Sequence, residues 1–265
     1  MTLFYQKKEF LDGFITLIKK CNEKILEIYN QDFEITLKDD KSPLTNADLE
    51  SNKLICEYLN LLNKNLKEET NEHFCIISEE NKNDPYDLRK NKKYTWLVDP
   101  IDGTKEFLKK NGQFTVNIGL CYNRVPIFGI VSIPVSGEIY YGIKDVGSFK
   151  LVNNEAIKLE IPNKDLHKEN ITIVASSSHM SEETKQYILQ FKNPKLINIG
   201  SSIKLLYIAE GKADIYPRYG PTSEWDTCAS HAVVKYAGGK VLQINSDKEL
   251  IYNKEDILNP YFLVY

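Results

Sequence analysis

"WLVDPIDGTKEF", residues 96–107, is the stretch on which the reading of this 265-residue chain turns. An apolar run, Trp96-Leu97-Val98, leads into Asp99. Pro100 and Ile101 separate Asp99 from Asp102, and Gly103-Thr104 follow at once. An Asp-Pro turn followed by a helix cap would account for the two aspartates without chemistry. D-P-x-D-G-T behind a buried strand points instead to a site that handles phosphate with a metal ion. The question is whether Asp99 attacks phosphorus or holds a cation.

The spacing decides it. Haloacid dehalogenase phosphatases carry D-x-D-G-T, whose first aspartate is the nucleophile. Here one residue too many intervenes, and Ile101 would stand where the nucleophile belongs. The motif also lies well inside the chain, behind two expected helices and two expected strands, so a covalent aspartyl-phosphate is rejected. Metal ligation remains. Asp99 is expected to end a strand and Asp102 to begin a short helical segment. The turn between them can aim both carboxylates and the Ile101 carbonyl at one point. Hard oxygen ligands of this kind suit Mg²⁺ or Mn²⁺. Gly103 and Thr104 would present backbone N–H groups to a phosphate.

Two metal ions need carboxylates from several segments, and three segments offer them. "SEE" places Glu79 and Glu80 at the end of an expected strand, although acidic pairs on loops are commonly just solvated. "SEWDTCASHAV" places Asp226 in the first turn of a late helix, where an acid is favourable anyway. The apolar neighbours Ala229, Ala232 and Val233 tilt it toward a ligand. "SPLTNADLE" places Asp48 at the start of the second helix, as a plain cap or as a carboxylate that orients Thr104 Oγ toward a water.

Bulk properties set limits. Hydrophobic residues make up 42% of the chain, ample for one large core or two lobes. A net charge of −3 gives no footprint for nucleic-acid backbone, so no nucleic-acid partner is expected. Apolar runs are too short to span a bilayer, and the first ten residues lack the order of a signal peptide, so a cytoplasmic protein is expected. Five scattered cysteines with no C-x-x-C pair argue against a disulfide framework or a thiolate zinc site.

Periodicity gives the elements. Phe10, Phe14, Leu17, Cys21, Ile25 and Ile28 form one helical stripe. Phe33, Ile35 and Leu37 alternate as in a short strand that Ser42-Pro43 breaks, and a second helix is expected over residues 47–62. Strands follow at 73–78 and 94–98, with a polar, mobile loop between them, and then an antiparallel meander. Beyond Pro162 strands and helices alternate. The expected division is an N-terminal α+β lobe, 1–161, and a C-terminal α/β lobe, 162–265, joined by "IPNKDLHKEN".

"SPLTNAD", "SEE", "DPIDGT" and "WDTCASHAV", in this order, resemble the inositol monophosphatase-like superfamily of Mg²⁺-dependent, Li⁺-sensitive phosphatases, over nearly the whole chain. The resemblance implies an α+β fold, a five-layer αβαβα sandwich of the inositol monophosphatase and fructose-1,6-bisphosphatase type, with the site between the lobes. It implies direct hydrolysis by water. Glu79, Asp99, the Ile101 carbonyl, Asp102 and Asp226 would hold two or three Mg²⁺ ions, with Mn²⁺ as the alternative, and Asp48 with Thr104 would activate water. "GTKEFLKKNGQFTVNIGL", in place of Gly-Thr-x-Asn-Phe, together with "ASSSH", "GSSIKLL" and "YPRYGPTSEWDT", looks like the 3'(2'),5'-bisphosphate nucleotidase branch. By that likeness Ser176, His179, Gly200, Lys204 and Arg218 would contact a small nucleotide bisphosphate, beside Glu79, Ile101, Asp102, Gly103, Thr104 and Asp226. The implied reaction releases the 3'-phosphate of adenosine 3',5'-bisphosphate, a by-product of sulfur metabolism, to give AMP. Lys204 and Arg218 could supply the positive charge that an acidic protein needs for such a ligand. Cys228 departs from the pattern, which leads one to expect alanine. The alternatives are an inositol or sugar phosphatase on the same fold, and a non-catalytic nucleotide-binding regulator. The sequence leaves the oligomeric state open.

Overall fold

The apolar stripe of the N-terminal segment becomes α1 (Lys8–Tyr29), entered from a short 3₁₀ turn at Phe4–Gln6. Phe10, Phe14, Leu17, Cys21 and Ile25 are buried along it as the spacing requires, and Tyr29 rather than Ile28 completes the buried face. The structure, a computed structural model, describes residues 3–31, 35–37, 43–162, 166, 169–176 and 180–265.

β1 (Ile35–Leu37) pairs antiparallel with β2 (Pro43–Thr45). Pro43 therefore begins a strand rather than ending order; as the first residue of a two-stranded pair it needs no amide hydrogen. Phe33 and Ser42 lie outside the described residues. Thr45 then caps α2 (Asn46–Thr70), its Oγ accepting from Ala47 N–H at 3.2 Å. α2 extends two turns beyond the expected end. Its last stretch, "NKNLKEET", holds good helix formers but only Leu66 is buried, so no apolar stripe marks it.

Seven strands follow in one sheet: β3 (Phe74–Ser78), β4 (Tyr94–Asp102), β5 (Thr115–Tyr122), β6 (Val125–Ile133), β7 (Glu138–Ile143), β8 (Gly147–Val152) and β9 (Glu155–Leu159). They lie in sequence order, with β3 parallel to β4 and every later pair antiparallel. The segment between β3 and β4 was expected to be a mobile loop. It instead contains the helical turn α3 (Tyr86–Arg89), fixed by Arg89, which is 4% exposed and donates from Nη1 to Asn253 Oδ1 at 2.7 Å. α4 (Thr104–Leu108) follows β4.

Beyond residue 162 come β10 (Thr172–Ser176), α5 (Glu182–Ile188), β11 (Lys195–Ile199), α6 (Ile203–Ala209), β12 (Tyr216–Arg218), α7 (Glu224–Tyr236), β13 (Val241–Gln243) and β14 (Phe262–Val264). β10 and β11 run parallel, but β12, β14 and β13 pair antiparallel, so this part is only partly of the alternating parallel kind. One core lies between the α1/α2 layer and the large sheet. A second joins the other face of that sheet, through α6 and α7, to the small strands. A third seats α5 on β10 through Ile171, Ile173 and Ile215. The result is the five-layer αβαβα sandwich. The large sheet ends at Leu159, close to the expected division at 161/162, which we keep as a proposed boundary. Among the described residues no helix is long and apolar enough to cross a membrane.

α7 lies directly on the large sheet because a row of glycines leaves room for it. Gly119, Gly129 and Gly142 are cross-strand neighbours on β5, β6 and β7. A Cβ at Gly129 would stand 2.2 Å from the Ala229 carbonyl oxygen, which is backbone and cannot rotate away. Gly129→Ala is therefore expected to cost about 1–3 kcal/mol or more, read as a lower urea midpoint. An unchanged midpoint would contradict this close approach. The row matters for function because α7 carries Asp226 at its start.

Candidate metal and phosphate site

In a regular strand, residues three apart point to opposite faces. Asp99 and Asp102 are three apart on β4, yet they share one site, where the charge of Asp102 helps to raise the pKa of Asp99. The reason is a bulge. Asp99 pairs with Asn117 and Asp102 with Thr115, so three steps on β4 oppose two on β5. The extra residue re-aims the strand and brings both carboxylates to one side. Asp99 Oδ1 accepts the Ile101 N–H at 3.0 Å, which fixes the turn and leaves the Ile101 carbonyl directed toward Thr104 Oγ, 3.4 Å away. Asp102 therefore ends the strand rather than beginning the helix. Gly103, at φ 98°, makes the turn into α4, a conformation that suits glycine. α4 has only five residues, so the expected phosphate cradle is a single turn of N–H groups.

Burial and mutual repulsion mark the carboxylates. Asp99 is 1% exposed, and its pKa is driven well up by burial and then by the charges of Glu79, Asp102 and Asp226; it shares a hydrogen bond with Glu79. Asp226 is pushed to about 8 by burial and then by Asp102, although the Ser223 N–H donates to its Oδ2 at 2.8 Å. Asp102 is raised to about 6 by burial, opposed by Lys204 and by a hydrogen bond from the Ser202 N–H. Four carboxylates from three separate segments thus converge, as the sequence led us to expect for Glu79, Asp99, Asp102 and Asp226. Unneutralised, they repel one another. Among the described residues no three His, Cys, Asp or Glu side chains are drawn into a closed ligand group. The donor set is all oxygen, buried at Asp99 and half-buried at Glu79, Asp102 and Asp226, and its carboxylates repel one another, which fits a hard divalent cation.

Asp48 is held on one side and directed on the other. Its Oδ2 accepts from Thr45 N–H at 2.8 Å and Thr45 Oγ at 2.6 Å, closing the capping box of α2. Its Oδ1 faces Thr104 Oγ at 3.5 Å. This is a long contact, as hydrogen bonds of catalytic pairs commonly are before substrate binds.

The expected nucleotide contacts gather beside the carboxylates. Ser176, Gly200, Lys204 and Arg218 line one cavity of about 170 Å³ with Asp102, Gly103 and Asp226. A wider cleft of about 780 Å³ shares Lys105 and Arg218 with it. His179 lies outside the described residues. Lys204 is no solvated helix residue. It is 6% exposed, donates from Nζ to the Ser201 carbonyl at 2.6 Å, and sits 5.6 Å from the Tyr216 ring centre. Burial, reinforced by Arg218 and opposed by Asp102, lowers its pKa to about 8. Arg218 donates from Nη2 to the Pro221 carbonyl at 2.9 Å, while its buried Nε has no partner among the described residues. A buried guanidinium N–H without an acceptor suits an anionic ligand. Gly200 gives its N–H to Gln113 Oε1 at 2.9 Å, and a Cβ there would meet Glu106 Cγ at 2.7 Å. Its smallness thus accommodates Glu106, a buried pocket carboxylate that the sequence reading passed over. Ser202 was also missed. It holds Asp102 through its N–H and Asn117 Oδ1 through its hydroxyl at 2.8 Å. Its only signal was a place in "GSSIK". Cys228 packs its Sγ 3.3 Å from Cys121 Sγ and leaves the Asp226 turn intact.

Comparison with known proteins shows the family and the fold. Residues 6–261 match the inositol monophosphatase family. The chain is 36% identical over 260 residues to a protein of Salmonella typhimurium named 3'(2'),5'-bisphosphate nucleotidase CysQ, covering 96% of this chain and 98% of that one. It is 38% identical over 243 residues to a protein of the same name from Buchnera aphidicola, covering 88% and 84%. The crystal structure of CysQ from Bacteroides thetaiotaomicron superposes with a TM-score of 0.82 at 39% identity, covering 99% of this chain and 98% of that one.

Proposed function

Since the chain belongs to the inositol monophosphatase family, we propose that it is a metal-dependent phosphatase acting on 3'(2'),5'-bisphosphate nucleotides, releasing the 3'-phosphate of adenosine 3',5'-bisphosphate. The observation that carries the reading is the junction of two opposite environments. Carboxylates that need a cation stand beside Lys204 and Arg218, which need an anion, around one cavity. A nucleotide with two phosphates can place one group in each.

Glu79, Asp99, the Ile101 carbonyl, Asp102 and Asp226 are the proposed holders of two or three Mg²⁺ ions. Such ions supply charge neutralisation at the phosphate and lower the pKa of water. Asp48 draws on the Thr104 hydroxyl proton, which turns an oxygen lone pair of Thr104 toward an incoming water and takes up the proton that the water loses. The Gly103 and Thr104 N–H groups face the phosphoryl oxygens. Lys204 and Arg218 hold the remainder of the nucleotide, with Ser176, His179 and Gly200 along its path. A net charge of −3 argues against a nucleic-acid partner. The reduced cysteines suit the cytoplasm, which is the proposed compartment.

Phosphate release from adenosine 3',5'-bisphosphate and from inositol 1-phosphate, each in Mg²⁺ with and without Li⁺, tests the reading. Faster, Li⁺-sensitive release from the nucleotide is expected. Preference for the inositol ester would overturn the substrate. Release from neither, with nucleotide still bound, would leave a non-catalytic binder.

A further inference from the structure

The first turns of α2 carry more than Asp48. Asp48, Ser51 and Asn52 stand at i, i+3 and i+4, one face of the helix. All three are polar, and they are only 1%, 0% and 8% exposed. A helix face so buried is normally apolar, and burying polar groups is costly unless each is bonded. Each is bonded, and to a different segment of the site. Asp48 faces Thr104. Ser51 Oγ donates to the Pro100 carbonyl at 3.2 Å, inside the Asp99–Asp102 bulge. Asn52 Oδ1 accepts from Ser78 Oγ at 2.8 Å, and its Nδ2 donates to Asn81 Oδ1 at 2.8 Å.

Ser78 and Asn81 flank Glu79-Glu80. The Asn52 amide therefore closes a bracket across the turn that carries the acidic pair. Asn83 completes it, its Oδ1 accepting the Ser78 N–H and its Nδ2 donating to the Ser78 carbonyl, both at 2.9 Å. Two adjacent glutamates stand on this turn, and its backbone conformation decides that Glu79 is the one that meets Asp99. The residue type follows from the chemistry. The amide accepts on one atom and donates from the other, whereas a carboxylate could not donate and an alanine could do neither.

We propose that Asn52 is a positioning residue for Glu79, setting which carboxylate of the pair faces the cation and tying it to the helix that presents Asp48. The proposal rests on the reading of Glu79 as a metal ligand. Outer partners of metal ligands govern affinity strongly when they fix the ligand's orientation.

The test is calorimetric titration of the metal-free protein with Mg²⁺ and with Mn²⁺, alongside the Mg²⁺ dependence of kcat. Asn52→Ala is expected to weaken cation binding on the order of 10–100-fold, with kcat largely restored at saturating Mg²⁺ because the Asp48–Thr104 pair is untouched. Asn81→Ala, at an exposed position, should shift affinity in the same direction with little risk to folding. Wild-type cation affinity in folded Asn52→Ala overturns the proposal, and if that variant does not fold, wild-type affinity in Asn81→Ala does so. Glu79→Gln separates the two readings. Weakened binding there beside unchanged binding in Asn52→Ala removes the positioning role alone, while unchanged binding in Glu79→Gln removes the ligand assignment itself.

Discussion

Asp99→Asn is expected to fold, to melt at a higher temperature than wild type in the absence of divalent cation, and to release phosphate on the order of 10³-fold more slowly in Mg²⁺. Loss of activity and gain of stability share one cause. Asp99 is buried against Glu79, Asp102 and Asp226, and its pKa stands well above the ordinary 3.8. A carboxyl raised in this way favours the fold only while protonated. Its contribution is intact below about pH 4 and is lost as pH rises toward the folded value, at about 1.4 kcal/mol per pH unit for each such group. Asp102, raised to about 6, and Asp226, raised to about 8, remain in both proteins, so the difference between the two curves reports Asp99. Asparagine keeps the shape and cannot ionise. Metal-free melting curves of the two proteins should therefore agree near pH 4 and separate toward pH 8, with the variant above. Mg²⁺ should then raise the wild-type midpoint by mass action and leave the variant's nearly unmoved. Wild-type turnover in Asp99→Asn would end the ligand assignment. Equal metal-free midpoints at pH 8 would mean that the carboxylates do not burden the fold.

The same feature explains how much of the molecule could be read from its residues alone. α1 announces itself through period, because only one of its faces is covered, whereas β5 and β6 are buried on both faces and show themselves as apolar runs between turn residues. β13 and β14 do not. They are three residues long, too short for a period to show, and owe their order to β14 pairing with both β13 and β12. Arg89 illustrates the other limit. Its partner Asn253 lies 164 residues away, so nothing local distinguishes it from the lysines around it.

At the site, the ligand types were legible because cation chemistry demands several carboxylates and the chain offers them in compact motifs. Their geometry was not. The odd spacing of Asp99 and Asp102 suggested a turn, whereas β4 runs through both and reconciles them by a bulge that exists only against β5. Lys204 was expected to face the nucleotide, but its burial was not legible, because that is decided by Tyr216 and the strand end at Ile199, on other elements. Ser51 and Asn52 were within reach, since polar residues at i+3 and i+4 from Asp48 contradict the apolar face expected there.

Thr104→Ala carries the other large effect, and it separates water activation from binding. The Thr104 hydroxyl stands 3.5 Å from Asp48 Oδ1 and 3.4 Å from the Ile101 carbonyl, between the proposed base and a proposed ligand. Asp48 cannot swing to replace it, because its other oxygen is held by the N–H and hydroxyl of Thr45. Alanine removes the relay and leaves the carboxylates, Lys204 and Arg218 in place. Thr104 is half-buried at the first position of α4, where alanine is a good helix former, so stability should change by less than about 0.5 kcal/mol. kcat should fall by about 10²–10⁴, the usual contribution of a positioned acid–base group, while KM for the nucleotide stays within a few-fold of wild type. Thr104→Ser keeps the hydroxyl and should recover most of the rate. If KM rises with kcat preserved, Thr104 serves as a phosphate contact. If serine fails where threonine works, the methyl group and the rotamer it imposes matter more than the proton, and Asp48 would have to act on water directly.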